Sequence, residues 1–280
     1  MSSAETETLA IVRQADPDRY LAALYAPAAK RPALLALYAF NAEIAAVRDR
    51  ISQPLPGEVR LQWWRDVLAS GDPAAAGGHP IAAALLEAIR AYDLPLATFE
   101  NMLEARIFDL YDDPMPTRTD LEGYCGETAS ALIQLAGLVL DPGAAVKTAA
   151  TAGHAGCAQA IAGLLRLLPI HRRRGQCYVP LDILQAVGTT RDDFIAGNDR
   201  PGATRAVAAT AALARDHLAR FKQEARTLPV SLRPAYLPVS LAGSYLDAIE
   251  SGAVDPLEES AAISPVRRHW LLLRRALRGW

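Results

Sequence analysis

LYAFNAEIAAVRD, residues 37–49, and GCAQAIAGLLRLLPIHRRRGQCYVPLD, residues 156–182, are the two most informative stretches of this chain. Ala and Leu are frequent in both, and their apolar residues recur at helical spacing rather than alternating. This pattern favours helices over strands. Asn41 and Glu43 interrupt the first apolar run, and both need polar partners if they are buried.

Helical periodicity continues from these stretches over almost the whole chain. We predict a single all-α domain over 1–280, a helical bundle in which 1–8 is flexible and 264–280 is a terminal amphipathic helix. Thr119 and Glu122 are expected to form a capping box. The predicted helices cover 8–25, 29–50, 57–69, 80–92, 95–111, 119–140, 142–168, 202–227, 231–250 and 264–278, with short helices near 180–186 and 190–196.

The composition narrows the class of protein. Of 280 residues, 51% are hydrophobic, and 29 basic residues nearly balance 31 acidic ones, for a formal net charge of −2. The chain is too apolar to be disordered and too weakly basic for general nucleic-acid binding. Three cysteines without CxxC spacing argue against a disulfide framework, and no apolar run is long enough for a membrane span. With a polar N-terminus that does not resemble a signal peptide, we expect a cytoplasmic protein.

Candidate metal ligands are few. The five histidines are scattered, with no pair at the spacing of zinc ligands, so we expect no zinc site. Asp109 and Asp113 are four residues apart, which would place them on one helix face suited to a shared Mg²⁺. Asp49 and Asp112 are the other two carboxylates of this candidate Mg²⁺ site. The competing interpretation is a helix end, because Pro114 disfavours helical geometry before it and acidic groups oppose the dipole there.

Several separated motifs share one resemblance. LEGYC at 121–125 followed by Ala129, and the segment 238–249 with Tyr245, stand in order with the two opening stretches. From about residue 17 to 278 the chain resembles the squalene/phytoene synthase family. The resemblance implies an isoprenoid-synthase fold with a central cavity, whose lining would include Tyr38, Asn41, Glu43, Asp49, Tyr124, Arg166, His171, Tyr178 and Tyr245.

The same residues have simpler interpretations. Each tyrosine can be a core residue whose hydroxyl is satisfied. Arg166 can pair with a carboxylate, such as Asp49, instead of contacting a ligand. His171 follows a proline at a helix end, where a structural role is favoured.

The Asp-rich motifs of the family are altered here. The family's enzymes join two prenyl diphosphates, which they hold through Mg²⁺ bound by two such helical motifs. In the first, Ala45 and Ala46 replace aspartates and only Asp49 remains. In the second, the metal-site and neighbouring polar positions are occupied by Gly163, Leu167, Ile170 and His171. Alanine and leucine cannot bind Mg²⁺, so we expect no cofactor unless other carboxylates supply the site.

Shorter strings resemble one branch of this family, the assembly factor 6 of mitochondrial respiratory complex I and its bacterial relatives. They are FNAE at 40–43, RLQWWR at 60–65, LRLLPIH at 165–171 and the run 188–194. The branch implies a non-catalytic protein that acts in assembly of a membrane respiratory complex. Its partners would be complex subunits or other assembly proteins, and not nucleic acid.

Two alternatives stay open. The first is an active Mg²⁺-dependent transferase that joins prenyl diphosphates with rearranged carboxylates at Asp49, Asp109, Asp112 and Asp113. The second is a binding protein whose cavity holds a prenyl lipid or quinone tail without chemistry.

The terminal helix gives a separate signal. Val266, Trp270, Leu273, Leu277 and Trp280 share one predicted helix face. Such a basic amphipathic helix can lie on an anionic membrane, here the inner face, or can simply pack on the domain with solvated arginines. The predicted membrane or partner surface consists of Trp270, Arg267, Arg268, Arg274, Arg275 and Arg278.

Overall fold

The computed structural model describes residues 3–252 and 254–280, and all regular secondary structure in these ranges is helical. The all-α prediction is confirmed. The α-helices are α1 (Ser3–Ala15), α2 (Pro17–Ala23), α3 (Arg31–Ala45), α4 (Pro54–Ser70), α5 (Pro80–Tyr92), α6 (Leu96–Ile107), α7 (Arg118–Cys125), α8 (Ala131–Leu140), α9 (Pro142–Lys147), α10 (Ala149–Arg166), α11 (Leu168–Arg173), α12 (Leu181–Ala186), α13 (Arg191–Ala196), α14 (Arg200–Glu224), α15 (Arg233–Tyr236), α16 (Ala242–Glu250) and α17 (Pro265–Arg278).

The N-terminal helix begins earlier than predicted. α1 starts at Ser3, and Thr8 is buried, so the segment 1–8 expected to be flexible is helical from Ser3 onward. Met1 and Ser2 lie outside the described residues. The predicted helix 8–25 is divided at Asp16, whose side chain accepts a hydrogen bond from the Arg19 amide and caps α2.

The predicted capping box was displaced by two residues. Thr117, not Thr119, caps α7: its hydroxyl accepts a hydrogen bond from the Asp120 amide at 3.2 Å. The Asp120 carboxylate accepts one from the Thr117 amide at 3.0 Å. A short Asp side chain closes this box as a longer Glu side chain would. The predicted helix 119–140 is also interrupted by a π-helical segment, Gly126–Ser130.

The described residues form two compact units. The first contains the chain up to Tyr111 together with Ala131–Ala149 and Leu228–Leu237. In it α3 packs against α1, α5 and α8, and its largest buried side chains are aromatic. Trp64 meets Phe40 edge to face at 5.0 Å between ring centroids, and Phe40 meets Phe99 at 5.6 Å. This geometry suits the ring quadrupoles and fixes α3, α4 and α6 together.

The second unit contains Asp112–Ser130, Ala150–Thr227 and Pro238–Trp280. The long helix α14 packs against α12, α13 and α16 and buries Phe221. Gly156 of α10 lies against the π-helical segment: a Cβ atom placed on it would stand 2.3 Å from the Ser130 amide nitrogen. Glycine is therefore required where these two elements cross. The assignment of one domain to 1–280 stays a prediction.

Among the described helices, none combines the length and the apolar character that crossing a membrane demands.

Candidate functional site

The predicted counterpart of the family's first Asp-rich motif lies where α3 ends. The predicted helix 29–50 stops at Ala45, and Ala46 is its C-terminal cap, with φ −85° and ψ 0°. Asp49 follows in a 3₁₀ turn, Arg48–Arg50, where it is exposed. It is therefore not one turn further along the face of a continuous helix. The two alanines present methyl groups where a metal site needs oxygen atoms.

Glu43 is a buried carboxylate surrounded by basic groups. Arg50 donates a hydrogen bond to its Oε1 at 2.9 Å, while its Oε2 lies 3.7 Å from Arg60 and 4.0 Å from His79. A buried charge is tolerated only when it is paired in this way. Glu43 therefore links basic groups of α4, of the N-terminus of α5 and of the turn after α3. The positive field of these partners opposes binding of a cation beside the carboxylate.

Asn41 and Asp109 meet the same arginine. Arg106 donates to the Asp109 carboxylate at 2.9 Å and to the Asn41 side-chain oxygen at 3.5 Å. Asp109 is 5% exposed and Arg106 is largely buried. The group links α3 to the end of α6 and provides a donor for the buried side-chain oxygen of Asn41. Tyr38, one helical turn before Asn41, is buried in the core of the first unit, and burial raises the pKa of its hydroxyl.

The predicted arrangement of acidic residues on one helix face is wrong. α6 ends at Ile107, Asp109 lies in a 3₁₀ turn, and the chain from Tyr111 to Thr117 has no regular structure. Asp112 and Asp113 are exposed in this irregular segment. Pro114 disfavours helical geometry only at Asp113, so it keeps that residue out of a helix but does not explain why α6 already ends at Ile107. Sequence separation of four residues therefore says nothing about the distance between these carboxylates.

The second unit brings together three of the predicted aromatic and basic residues. The ring of Tyr178 lies 5.9 Å from that of Tyr124 and 4.8 Å from the imidazole of His171. A cavity of about 10 Å³ adjoins His171 and Tyr178, which is close to the minimum for one water molecule. The remaining lining is mostly aliphatic: Leu121, Ile161, Leu164, Leu165, Leu168, Val179 and Thr210. Within this unit the cluster is thus packed side chain against side chain.

Arg166 and Tyr245 also meet within the second unit. The guanidinium lies over the Tyr245 ring, 4.7 Å from its centroid, so it forms a cation–π contact between α10 and α16. Tyr245 is 6% exposed. The sequence suggested a carboxylate partner for Arg166, but within this unit its partner is an aromatic face.

His154 and His217 form a pair that was not predicted, because the five histidines are scattered along the sequence. Nδ1 of His154 lies 3.0 Å from Nδ1 of His217, and Nε2 of His217 lies 2.9 Å from the Glu122 carboxylate. Nε2 of His154 faces Glu224 at 3.8 Å. The two histidines are 63 residues apart on α10 and α14, so no local spacing could have revealed them.

This pair predicts a pH-dependent stability. One ring must donate from its Nδ1 and the other must accept at its Nδ1. The two imidazoles therefore cannot both carry the second proton that makes them cationic while the contact persists. Burial lowers the pKa of His154 below its usual 6.5, against the attraction of Glu224. Because the unfolded chain then binds protons first, we expect the free energy of unfolding to be constant above about pH 6.5 and to fall as the pH drops below it.

Urea denaturation between pH 5 and 8 measures this effect. His154→Gln is expected to flatten the dependence in this range, whereas His269→Gln, at an exposed site on α17, should leave it unchanged. An identical pH profile for wild type and His154→Gln would contradict the assignment.

The described residues do not fit the Mg²⁺ that the family's enzymes use. In the ranges 3–252 and 254–280, no three His, Cys, Asp or Glu side chains are arranged so that they could hold a metal ion. Glu43 and Asp109 are each bonded to arginine. At the second motif position, Leu167 precedes α11 and supplies no oxygen.

Comparison with known proteins identifies the family of this chain. A model of the squalene/phytoene synthase family matches residues 12–272. The chain is 30% identical over 233 residues to the human NADH dehydrogenase (ubiquinone) complex I, assembly factor 6, covering 82% of this chain and 68% of that protein. It is 30% identical over 145 residues to the phytoene synthase of Thermus thermophilus, covering 50% and 47%.

Solved structures share the fold at lower identity. A dehydrosqualene synthase in complex with ligand superposes with a TM-score of 0.80 at 18% identity, covering 97% of this chain and 94% of that one. The squalene synthase HpnC from Alicyclobacillus acidocaldarius gives 0.75 at 21% identity, covering 89% and 94%. The predicted isoprenoid-synthase fold is confirmed, and this chain belongs to the squalene/phytoene synthase family.

Proposed function

We propose that this protein is a non-catalytic member of the family that acts in assembly of a membrane respiratory complex, complex I. Its partners would be subunits of that complex or other assembly proteins. Support comes from the relatives named as complex I assembly factor 6, of which the human one matches 82% of this chain. We place it in the cytoplasm, at the inner face of the membrane, where it works without a metal cofactor.

One observation carries the proposal. The framework of the family is kept along the chain, while the positions that would hold metal ions carry Ala45, Ala46, Leu167 and His171. Two nearby acidic side chains, Glu43 and Asp109, are bonded to arginines. Transfer from a diphosphate needs charge neutralisation at the leaving oxygens, and these side chains do not provide it.

A turnover assay tests the absence of catalysis. Purified protein is incubated with farnesyl or geranylgeranyl diphosphate and Mg²⁺, with the Thermus thermophilus phytoene synthase as a positive control for geranylgeranyl diphosphate. We expect no diphosphate release above the protein-free rate. Product formation that Asp49→Asn abolishes would establish instead the alternative of a transferase with rearranged carboxylates.

A second assay tests the assembly role directly. Deletion of the gene in its own organism should reduce mature complex I on native gels and accumulate subcomplexes, and the wild-type gene should restore it. A complemented strain carrying Asp49→Asn should assemble the complex normally, because the proposed role needs no metal ligand. Full complex I in the deletion strain would refute the role.

Prenyl-lipid binding is a second candidate, favoured by a groove in the first unit. The groove, of about 490 Å³, lies among α1, α3 and α5, and its walls are mostly Ala and Leu, including Ala84, Ala88 and Leu35. Its volume is typical of small-molecule sites. Native mass spectrometry should detect a bound prenyl chain that Ala91→Trp, at the groove margin, displaces; absence of any bound lipid after addition of a polyprenol would refute this candidate.

A further inference from the structure

The terminal helix α17 carries an apolar stripe that the fold leaves uncovered. Val266 is 80% exposed, Trp270 61%, Leu273 40% and Leu277 72%. Their spacing of four, three and four residues places them on one face, along about 17 Å of helix. The buried side chain of α17 is Leu272, which lies outside the stripe. The helix is therefore packed on its unit through a different face.

The polar surroundings of the stripe are cationic. Arg267, Arg274 and Arg278 are exposed, and the sequence from Pro265 to Trp280 contains no acidic residue. Arg274 and Arg278 form no ion pair with any carboxylate in the described part of the chain. Arg267 approaches Asp247 at 3.9 Å, but Arg215 already binds that carboxylate at 2.6 Å. The charge of this face is thus largely unneutralised.

Trp280 of the predicted apolar face and Arg275 of the predicted surface are turned inward. Trp280 packs edge to face on Phe221, 4.5 Å between centroids, and so does not extend the stripe. Arg275 lies over the Trp280 ring and donates to the Gly279 carbonyl at 3.1 Å. Arg268 is half-buried. This packing fixes the end of α17 on the second unit and leaves the stripe and the three exposed arginines outside.

We propose that α17 binds the surface of an anionic bilayer, with its stripe in the acyl boundary and its arginines among the head groups. A single row of large apolar side chains on a convex helix suits a fluid apolar layer, and head groups supply negative charge along the same plane. Trp270 stands at the middle of the row, and indole prefers this interface. The surface does not depend on whether the protein assists assembly or transfers prenyl groups.

Flotation of the full chain with vesicles tests the proposal. We expect binding to vesicles of phosphatidylcholine with about 30% phosphatidylglycerol. Binding to vesicles of phosphatidylcholine alone should be weaker by about tenfold or more. Trp270→Ser with Leu277→Ser should weaken binding at least tenfold, since each change removes a large inserted side chain. Arg274→Gln with Arg278→Gln should weaken it about tenfold, and raising the salt concentration should reproduce that loss.

Control variants test whether any loss of exposed apolar or basic side chains, rather than loss of those on α17, weakens binding. Val146→Ser with Val230→Ser changes side chains that are 69% and 68% exposed in the first unit, and should leave binding intact. Arg118→Gln with Arg220→Gln removes two exposed charges that belong to other helices, α7 and α14, with the same expectation. Circular dichroism and thermal melting verify that every variant folds. If a stripe variant melts early, quenching of tryptophan fluorescence by brominated lipid, compared between the wild type and Trp270→Phe, gives an independent measurement, because the Trp270 contribution is lost in that variant.

Four outcomes would overturn the proposal. They are no binding to anionic vesicles, binding that survives loss of the stripe, binding of soluble polyglutamate in preference to vesicles, and a wild-type dimer that the stripe variant converts to monomer. The third result would assign the face to an acidic protein partner. The fourth would assign it to a second copy of this chain.

Discussion

Replacement of Trp64 with alanine is expected to lower the free energy of unfolding by about 3–5 kcal/mol. Trp64 is 1% exposed and is the largest fully buried side chain in the described part of the chain. Its ring meets Phe40 at 5.0 Å and His79 at 5.5 Å, so its removal leaves a cavity bounded by α3 and the start of α5. Rigid aromatic neighbours cannot close that space.

Its sequence neighbour is the matched control. Trp63 is half-buried and meets His79 at 5.2 Å, so Trp63→Ala should cost less than half as much. Urea denaturation followed by circular dichroism measures both variants. Equal losses for Trp63→Ala and Trp64→Ala would show that the packing described for α4 is wrong, since the two side chains would then be equally buried.

Gly156→Ala is the second large effect, with an expected loss of about 3 kcal/mol, the upper part of the range for overpacking. The new Cβ would stand 2.2 Å from Ser130 Oγ, 2.3 Å from its amide nitrogen and 2.5 Å from its Cα. Two of these are backbone atoms, which cannot rotate away, so α10 or the π-helical segment must move. This loss should exceed the gain of about 1 kcal/mol that alanine normally brings to a helix interior.

Gly163→Ala in the same helix should have the opposite sign. A Cβ on Gly163 meets nothing within 4 Å, so this change should stabilise the protein by up to about 1 kcal/mol. Thermal melting of both variants measures whether the two stability changes have opposite signs. A stabilised Gly156→Ala protein would mean that α10 does not approach Ser130 as closely as described.

Much of the secondary structure follows from local residues. Ala- and Leu-rich periodicity predicted helices at 80–92 and 264–278, and α5 (Pro80–Tyr92) and α17 (Pro265–Arg278) lie there. Prolines at the first turn locate both starts, because the missing amide hydrogen is not needed there. Breaks inside longer helices were not predicted: the end of α3 at Ala45 and the π-helical segment 126–130 carry no proline at the break.

For the candidate site, too, some features could be predicted from the sequence and others could not. That Ala45 and Ala46 cannot bind a cation could be predicted, because a methyl group offers no ligand atom in any fold. The partners of the remaining polar residues could not. Asn41 shares Arg106 with Asp109 over 65 residues of sequence, and Glu43 faces Arg60 and His79 from other helices. Such pairings depend on how helices pack, and sequence spacing does not report that.

The helical class, the family and the presence of Ala45 and Ala46 at the predicted metal positions could all be inferred from the sequence alone. Each of these depends on which side chains are present and on their local spacing. The three-dimensional packing was needed to show that His154 meets His217, that Gly156 must stay glycine, and that Trp280 turns inward while Trp270 stays exposed. Those outcomes depend on contacts between residues far apart in the chain, which exist only once the helices have packed.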